Sequence, residues 1–185
     1  EKIRKNFSDL TSEDISKRKW KINSSGGSTG EPVQIIQDAY YTCHSEARKN
    51  IAFSWAGHKP GDFIIKLWGS ERDILGKKNY IEDIKNFLKN QIILNAFILS
   101  PEKIKKFIRT INRKSPSVVL AYANAAYELS NYGIEQNYSL KKQISLISTS
   151  GNLYPFIREK IEKFFNCEVY NQYGSREVSC IASEC

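Results

Sequence analysis

Ser115-Pro116-Ser117-Val118-Val119-Leu120-Ala121 closes on four apolar residues in a row, with no polar alternation. A short apolar run bounded by turn residues reads as a strand buried on both faces, the kind found inside parallel sheets. Its neighbours have the helical period. On the upstream side, Ser100-Pro101-Glu102-Lys103 is a helix start: an N-cap serine, proline at the first position and an acid in the first turn. That helix is expected to run to about Asn112. Downstream, Tyr122 to Asn131 reads as helix and Gln143 to Ser148 as strand. Leu153 to Phe165 reads as an amphipathic helix and Cys167 to Tyr170 as a strand. Strands alternating with helices of this length imply βαβ units.

The same reading extends towards the N-terminus. Residues 1–19 are polar, with a helix-start pattern at Thr11-Ser12-Glu13-Asp14. Trp20 to Asn23 and Val33 to Ile36 are strands flanking a loop. A helix is expected from Asp38 to Ala56, with Tyr40, Ala47, Ile51 and Trp55 on one face. Asp62 to Trp68 is a strand. Ile81 to Lys89 is a helix with Ile81, Ile84 and Leu88 inward, and Gln91 to Leu99 is an apolar strand. The fold class expected is therefore α/β, a mainly parallel sheet with flanking helices. In such sheets ligands sit at the carboxyl ends of the strands, so the loops after residues 99, 121, 148 and 170 should share a functional edge.

Composition narrows the class. The chain has 185 residues and a formal charge of +8, enough length for one domain with a core. Its lysines are scattered along helix-like segments, which suits a solvated surface or attraction of polyanions such as nucleotides. Four irregularly spaced cysteines do not make a secreted disulfide framework. Without a signal peptide or long apolar run, a cytoplasmic protein is expected, with neither nucleic acid nor membrane as partner. Methionine is absent even at position 1, so the chain reads as a piece of a longer protein.

Three stretches carry chemistry. The first is Ser24-Ser25-Gly26-Gly27-Ser28-Thr29-Gly30-Glu31-Pro32. Its glycines allow close backbone approach to a ligand, and successive N–H groups with short hydroxyl donors suit a phosphate. It is neither a Walker motif nor a dinucleotide fingerprint; a plain flexible hairpin loop is the alternative. The second, Ser148-Thr149-Ser150-Gly151-Asn152-Leu153, follows a strand and is expected to open a helix. In the third, Asn171-Gln172-Tyr173-Gly174-Ser175-Arg176-Glu177, an aromatic plate, a cation and a carboxylate are expected on a loop. Tyr173 could stack on a base, Arg176 meet phosphate and Glu177 hold Mg²⁺. The alternative is a polar turn with a surface Arg–Glu pair.

Taken in this order, the three motifs resemble the adenylate-forming superfamily of acyl-CoA ligases. They are most similar to the phenylacetate–CoA ligase and CapK-type branch, which is linked to capsular polysaccharide genes. The resemblance implies a fragment of the large N-terminal domain of such an enzyme, one partial domain over residues 1–185 truncated at both ends. It implies ATP-dependent activation of a small carboxylic acid as an acyl-adenylate, followed by transfer to CoA, with room for a homodimer. By position, Ser25, Gly27, Ser28, Thr29 and Gly30 would wrap the β- and γ-phosphates. Gly151 and Asn152 would border adenine, and Tyr173 would stack on it, with Asn171, Gln172, Gly174 and Ser175 completing the nucleotide motif. Arg176 and Glu177 would serve catalysis, Glu177 through Mg²⁺. Cys185 would match the first half of a structural zinc site. Trp68-Gly69 and Tyr122-Ala123-Asn124 would lie towards the acyl pocket. Three departures stand out: Glu31 replaces the loop lysine, Arg176 a Ser or Thr, and Asn152 a Glu or Ala. They leave room for a different substrate or a weaker enzyme; the rival readings are a non-catalytic nucleotide-binding relative and a plain α/β interaction domain. Relatives carry a ribose-binding aspartate and a catalytic lysine further along, so residues 1–185 alone are expected to be inactive.

Overall fold

In the computed structural model of the chain, the structure describes residues 2–25, 32–69, 80–96, 99–141 and 145–185, with only the backbone of Glu82. The chain divides into two units, residues 1–51 with 174–182 and residues 52–173 with 183–185.

A six-stranded sheet, in the order β4-β3-β5-β6-β7-β8, has all but its last strand mainly in the larger unit. Its strands are β3 (Ile64–Trp68), β4 (Gln91–Asn95), β5 (Val118–Tyr122), β6 (Ser145–Thr149), β7 (Glu168–Ser175) and β8 (Ser179–Ser183). The five strands β4, β3, β5, β6 and β7 pair in parallel, with Leu67 opposite Ala121, Ala121 opposite Ser148, and Ser148 opposite Asn171. The turn at 176–178 is too short for a crossover, so β8 returns antiparallel beside β7.

Both faces of the sheet are covered. Ile65, Leu67, Val119, Ala121, Leu146 and Val169 face one core with the helices α4 (Pro101–Lys114), α5 (Ala123–Glu135) and α6 (Pro155–Phe165). Ile64, Val118, Leu120 and Ile147 face a smaller core with Phe53 and Ala56. This two-sided burial is why Val118 to Ala121 shows no alternation. α5 and α6 approach so closely that a Cβ on Gly133 would fall 2.2 Å from the Phe164 ring. At the amino edge, His58 Nδ1 lies 2.7 Å from Ser117 Oγ, and burial lowers the pKa of His58 below its ordinary value.

The smaller unit contains a short helix α1 (Lys2–Lys5) and an antiparallel pair, β1 (Trp20–Ser24) and β2 (Gln34–Asp38), with Trp20 opposite Asp38 and Ser24 opposite Gln34. Asp38 Oδ1 accepts the Tyr41 N–H at 2.7 Å, and α2 (Ala39–Trp55) follows. Arg18 donates to Asp14 at 2.8 Å and to Asp38 at 2.7 Å, bracing the polar N-terminal segment against β2.

Several expectations change. The N-terminal pattern yields only a single 3-10 turn at Ile15–Lys17. Of the α2 stripe, Tyr40 (71% exposed), Ile51 and Trp55 face solvent; Ser45, Ala52 and Phe53 are the buried residues of the helix. Ile81, Ile84 and Leu88 are not inward: all are at least 60% exposed on α3 (Tyr80–Leu88). β4 stops at Asn95, and α6 starts at Pro155, with Tyr154 as its extended N-cap residue. β7 runs five residues past Tyr170, and β8 was not expected at all.

Candidate nucleotide site

The parallel register brings the strand ends of the larger unit level: Trp68 opposite Asn95, Tyr122 opposite Thr149, and Ser148 opposite Asn171. The second and third motifs therefore leave adjacent strands at one edge, where α/β folds place their ligands. The Trp68 and Tyr122 rings lie 4.6 Å apart, and Tyr122 OH donates to the Gly69 carbonyl at 3.0 Å. Gly69 has φ +152°, and a Cβ there would lie 3.3 Å from Asn95 Oδ1. The two aromatics named for an acyl pocket thus hold each other on this edge.

At the second motif Ser150 takes φ 52° and Gly151 φ 157°, so the chain leaves β6 through left-handed backbone. A Cβ on Gly151 would approach Ala123 Cβ to 3.3 Å. Tight approach to α5 is thus a structural reason for that glycine. Asn152 Nδ2 donates to Tyr154 OH at 3.1 Å. The motif does not open α6 directly, because Gly151 to Tyr154 are non-helical and the helix begins at Pro155. Ser148 Oγ is buried and makes no hydrogen bond among the described residues.

The third motif is mainly strand. Asn171 to Ser175 continue β7, because β8 returns alongside and takes up their hydrogen-bonding groups. Asn171 is fixed from both sides: its N–H donates to Glu184 Oε2 at 2.8 Å and its carbonyl accepts the Glu184 N–H at 3.0 Å. Glu184 is gripped in turn by Arg158 Nη2, 2.7 Å from both carboxylate oxygens. Burial would raise the Glu184 pKa, but Arg158 and the Asn171 N–H outweigh it and hold it below the usual carboxylate value. Sequence reading missed this clamp, since its residues lie 26 apart and neither belongs to a motif. Gln172 is half-buried, whereas the Tyr173 side chain is 67% exposed, leaving ring surface open.

The smaller unit joins the end of the third motif to the stem of the first. Ser25 N–H donates to the Val33 carbonyl, and Val33 N–H donates to Ser25 Oγ, both at 2.8 Å. This pair of hydrogen bonds closes the stem of the glycine-rich loop, and among the described residues the Ser25 hydroxyl hydrogen has no acceptor. Gly27, Ser28, Thr29, Gly30 and Glu31 lie outside the described residues. Arg176 Nη1 donates to the Ser24 carbonyl at 2.9 Å. The Arg176 carbonyl accepts from Gln37 Nε2 at 2.9 Å and Tyr41 OH at 3.1 Å. Nearby, Ser45 Oγ and Ser179 Oγ lie 2.6 Å apart. Gly174 has no room for a side chain, since a Cβ would sit 2.4 Å from the Ser179 carbonyl oxygen. Ser175 and Glu177 are exposed, and Glu177 makes no hydrogen bond or ion pair among the described residues.

Metal donors are sparse. Among the described residues no group of three or more His, Cys, Asp or Glu side chains could hold an ion. Cys185 is exposed, and Cys167, the cysteine nearest it in the larger unit by sequence, has its thiol pushed up to about 12 by burial and by Glu162 and Glu168. Among the described residues the donors do not make up the four ligands that structural zinc takes. A lone exposed carboxylate such as Glu177 does suit Mg²⁺, whose remaining ligands are phosphate oxygens and water.

This architecture, a mainly parallel six-stranded sheet flanked by helices, matches fragments of adenylate-forming ligase domains. The crystal structure of an open conformation of 2-hydroxyisobutyryl-CoA ligase in complex with 2-HIB-AMP and CoA aligns with a TM-score of 0.57 at 15% identity, over 88% of this chain and 37% of that one. ATP-bound MatB from Rhodopseudomonas palustris aligns with a TM-score of 0.57 at 12% identity, over 88% and 30%. In sequence, the chain is similar to the protein CapK of Staphylococcus aureus, with 27% identity over 178 residues, 95% of this chain. It spans 39% of the length of that relative. No family model matches the chain.

Proposed function

We propose that residues 1–185 supply the nucleotide-contacting part of an ATP-dependent ligase that activates a small carboxylic acid. In the first step a carboxylate oxygen attacks the α-phosphorus of ATP, a C–O–P linkage forms, and pyrophosphate leaves. In the second, the thiol of CoA attacks the acyl carbon, the C–O bond breaks, and AMP leaves. Ser25, Gly27, Ser28, Thr29 and Gly30 wrap the terminal phosphates. Gly151 and Asn152 border the base, and Tyr173 stacks on it within the motif of Asn171, Gln172, Gly174 and Ser175. Glu177 would hold Mg²⁺, which would supply positive charge against the polyphosphate. Arg176 positions the stem of the phosphate loop through Ser24.

The observation that carries this reading is the 2.9 Å bond from Arg176 to the Ser24 carbonyl. It links the third motif to the first across 152 residues of sequence. Fold likeness to ligases solved with 2-HIB-AMP or with ATP supports the same reading. The test is ATP–pyrophosphate exchange by the full-length protein over a panel of carboxylic acids. Exchange with one acid class is expected, with Glu177→Gln raising the Mg²⁺ requirement. Tyr173→Ala should weaken ATP about 5- to 150-fold, from base stacking worth about 1–3 kcal/mol, and pyrophosphate far less.

Glu31 favours a second reading, because it sets a carboxylate where the ligase loop carries a lysine. On that reading the protein binds nucleotide without catalysis, in a role linked to capsular polysaccharide. ATP binding without exchange for any acid would select it. Absence of ATP binding would leave only an α/β interaction domain.

A further inference from the structure

One helix holds most of the excess charge of this chain. Between Pro101 and Lys114, α4 carries Lys103, Lys105, Lys106, Arg109, Arg113 and Lys114 against the single carboxylate Glu102, a net +5 of the chain's +8. All six cations are exposed, while Ile104, Phe107, Ile108 and Ile111 anchor the opposite face in the core. Lys106, Arg109 and Arg113 fall at helical spacing on the line directly opposite the buried stripe. Lys105 and Lys114 lean to opposite flanks, their Nζ atoms 6.0 Å from the Tyr138 ring and 5.6 Å from the Phe63 ring. None of the six forms an ion pair among the described residues, unlike Arg18, Lys49 and Arg158. Glu102 is turned back to the Ser100 hydroxyl at the helix cap.

We infer that the solvent face of α4 adsorbs the protein onto an anionic membrane surface, through phosphate-bearing lipid headgroups and without insertion. Over fourteen residues the helix presents a convex ridge roughly 20 Å long. Long cationic side chains fanned over half its circumference can all reach one plane, and no large apolar side chain on α4 is exposed to enter the acyl region. Sequence-reading nucleic acid is a poorer match, because the remaining polar side chains are occupied. Thr110 Oγ1 donates to the Lys106 carbonyl, and Asn112 bonds the Ser139 carbonyl and the Lys141 N–H. No aromatic side chain stands on the exposed face to stack on bases. Among the described residues no helix is long and apolar enough to cross a membrane, but adsorption requires none.

The test is vesicle flotation with the full-length protein. It should float with phosphatidylcholine–phosphatidylglycerol vesicles and not with phosphatidylcholine alone. Binding should fade with salt as the screening length shrinks from about 10 Å at 0.1 M to about 3 Å at 1 M. K106Q/R109Q/R113Q should lose about 100-fold in affinity, at about 1 kcal/mol for each basic residue near the surface. The charge-matched control K21Q/K59Q/K163Q should lose far less. All six side chains are exposed, so unchanged melting temperatures are expected to show that both variants fold. Equal flotation with phosphatidylcholine, an α4 variant no weaker than the control, or tight binding of random duplex DNA without flotation would each overturn the inference.

Discussion

α3 and α4 carry the same local instructions and reach opposite ends. Each has its apolar residues on one face, and each is followed by a residue in left-handed backbone, Asn90 at φ 48° and Ser115 at φ 46°. α4 buries its apolar face, with Ile111 fully enclosed. α3 leaves Tyr80, Ile81, Ile84, Phe87 and Leu88 between 60% and 82% exposed. The difference lies in what stands opposite. α4 meets the interior of a five-strand parallel register through Ile65, Val119 and their neighbours, whereas α3 lies beside β4, the edge strand. Periodicity identifies a face that gains from cover; it does not supply the cover.

The largest effect is expected where α4 meets the core. Ile111→Ala removes three carbons from a site with no exposure and should cost about 2–5 kcal/mol in urea unfolding. A loss below about 1 kcal/mol would mean that the α4 face is held no better than that of α3.

A smaller effect is expected at the N-terminal end of the helix. Ser100 Oγ accepts the Lys103 N–H at 3.4 Å, a long bond, so Ser100→Ala should cost nearer 0.5 than about 2 kcal/mol. Ser100→Asp should recover it, since a carboxylate also meets the helix dipole favourably. No loss in the alanine variant would show that packing alone fixes where α4 begins.

The same contrast explains what the sequence revealed. The helix start at Ser100-Pro101, the strand at Val118 and the order of βαβ units were legible, because they depend on local chemistry and on burial from both sides. β8 was not. Ser179 to Ser183 is a short strand whose reason for being extended is β7 beside it, and no local signal encodes a neighbour. The extension of β7 through Tyr173 was hidden for the same reason. Of the site, residue types and order were readable. Pairing Arg176 with Ser24, or Glu184 with Asn171, required the fold. Glycine was ambiguous from sequence: Gly174 and Gly151 looked like ligand-contact positions, yet each is also required by close backbone or side-chain approach.

The smallest effect, and the sharpest test of the comparison, is expected on α3. Phe87 is 82% exposed and Ile84 60% exposed, so both are already largely hydrated in the folded chain. Replacing them by serine removes apolar surface that folding does not take out of water. The transfer contribution lost in the folded state is therefore nearly matched in the unfolded state. Serine is a somewhat poorer helix former than isoleucine's straight-chain alternatives, but the two substitutions differ from the parent residues by only tenths of a kcal/mol in propensity. Ile84→Ser with Phe87→Ser should shift unfolding of residues 1–185 by less than about 1 kcal/mol, each surface change lying within about ±0.5. Solubility should rise, because a contiguous apolar patch is broken. A loss of several kcal/mol, approaching that of Ile111→Ala, would show that α3 is covered in solution and that its contrast with α4 does not hold.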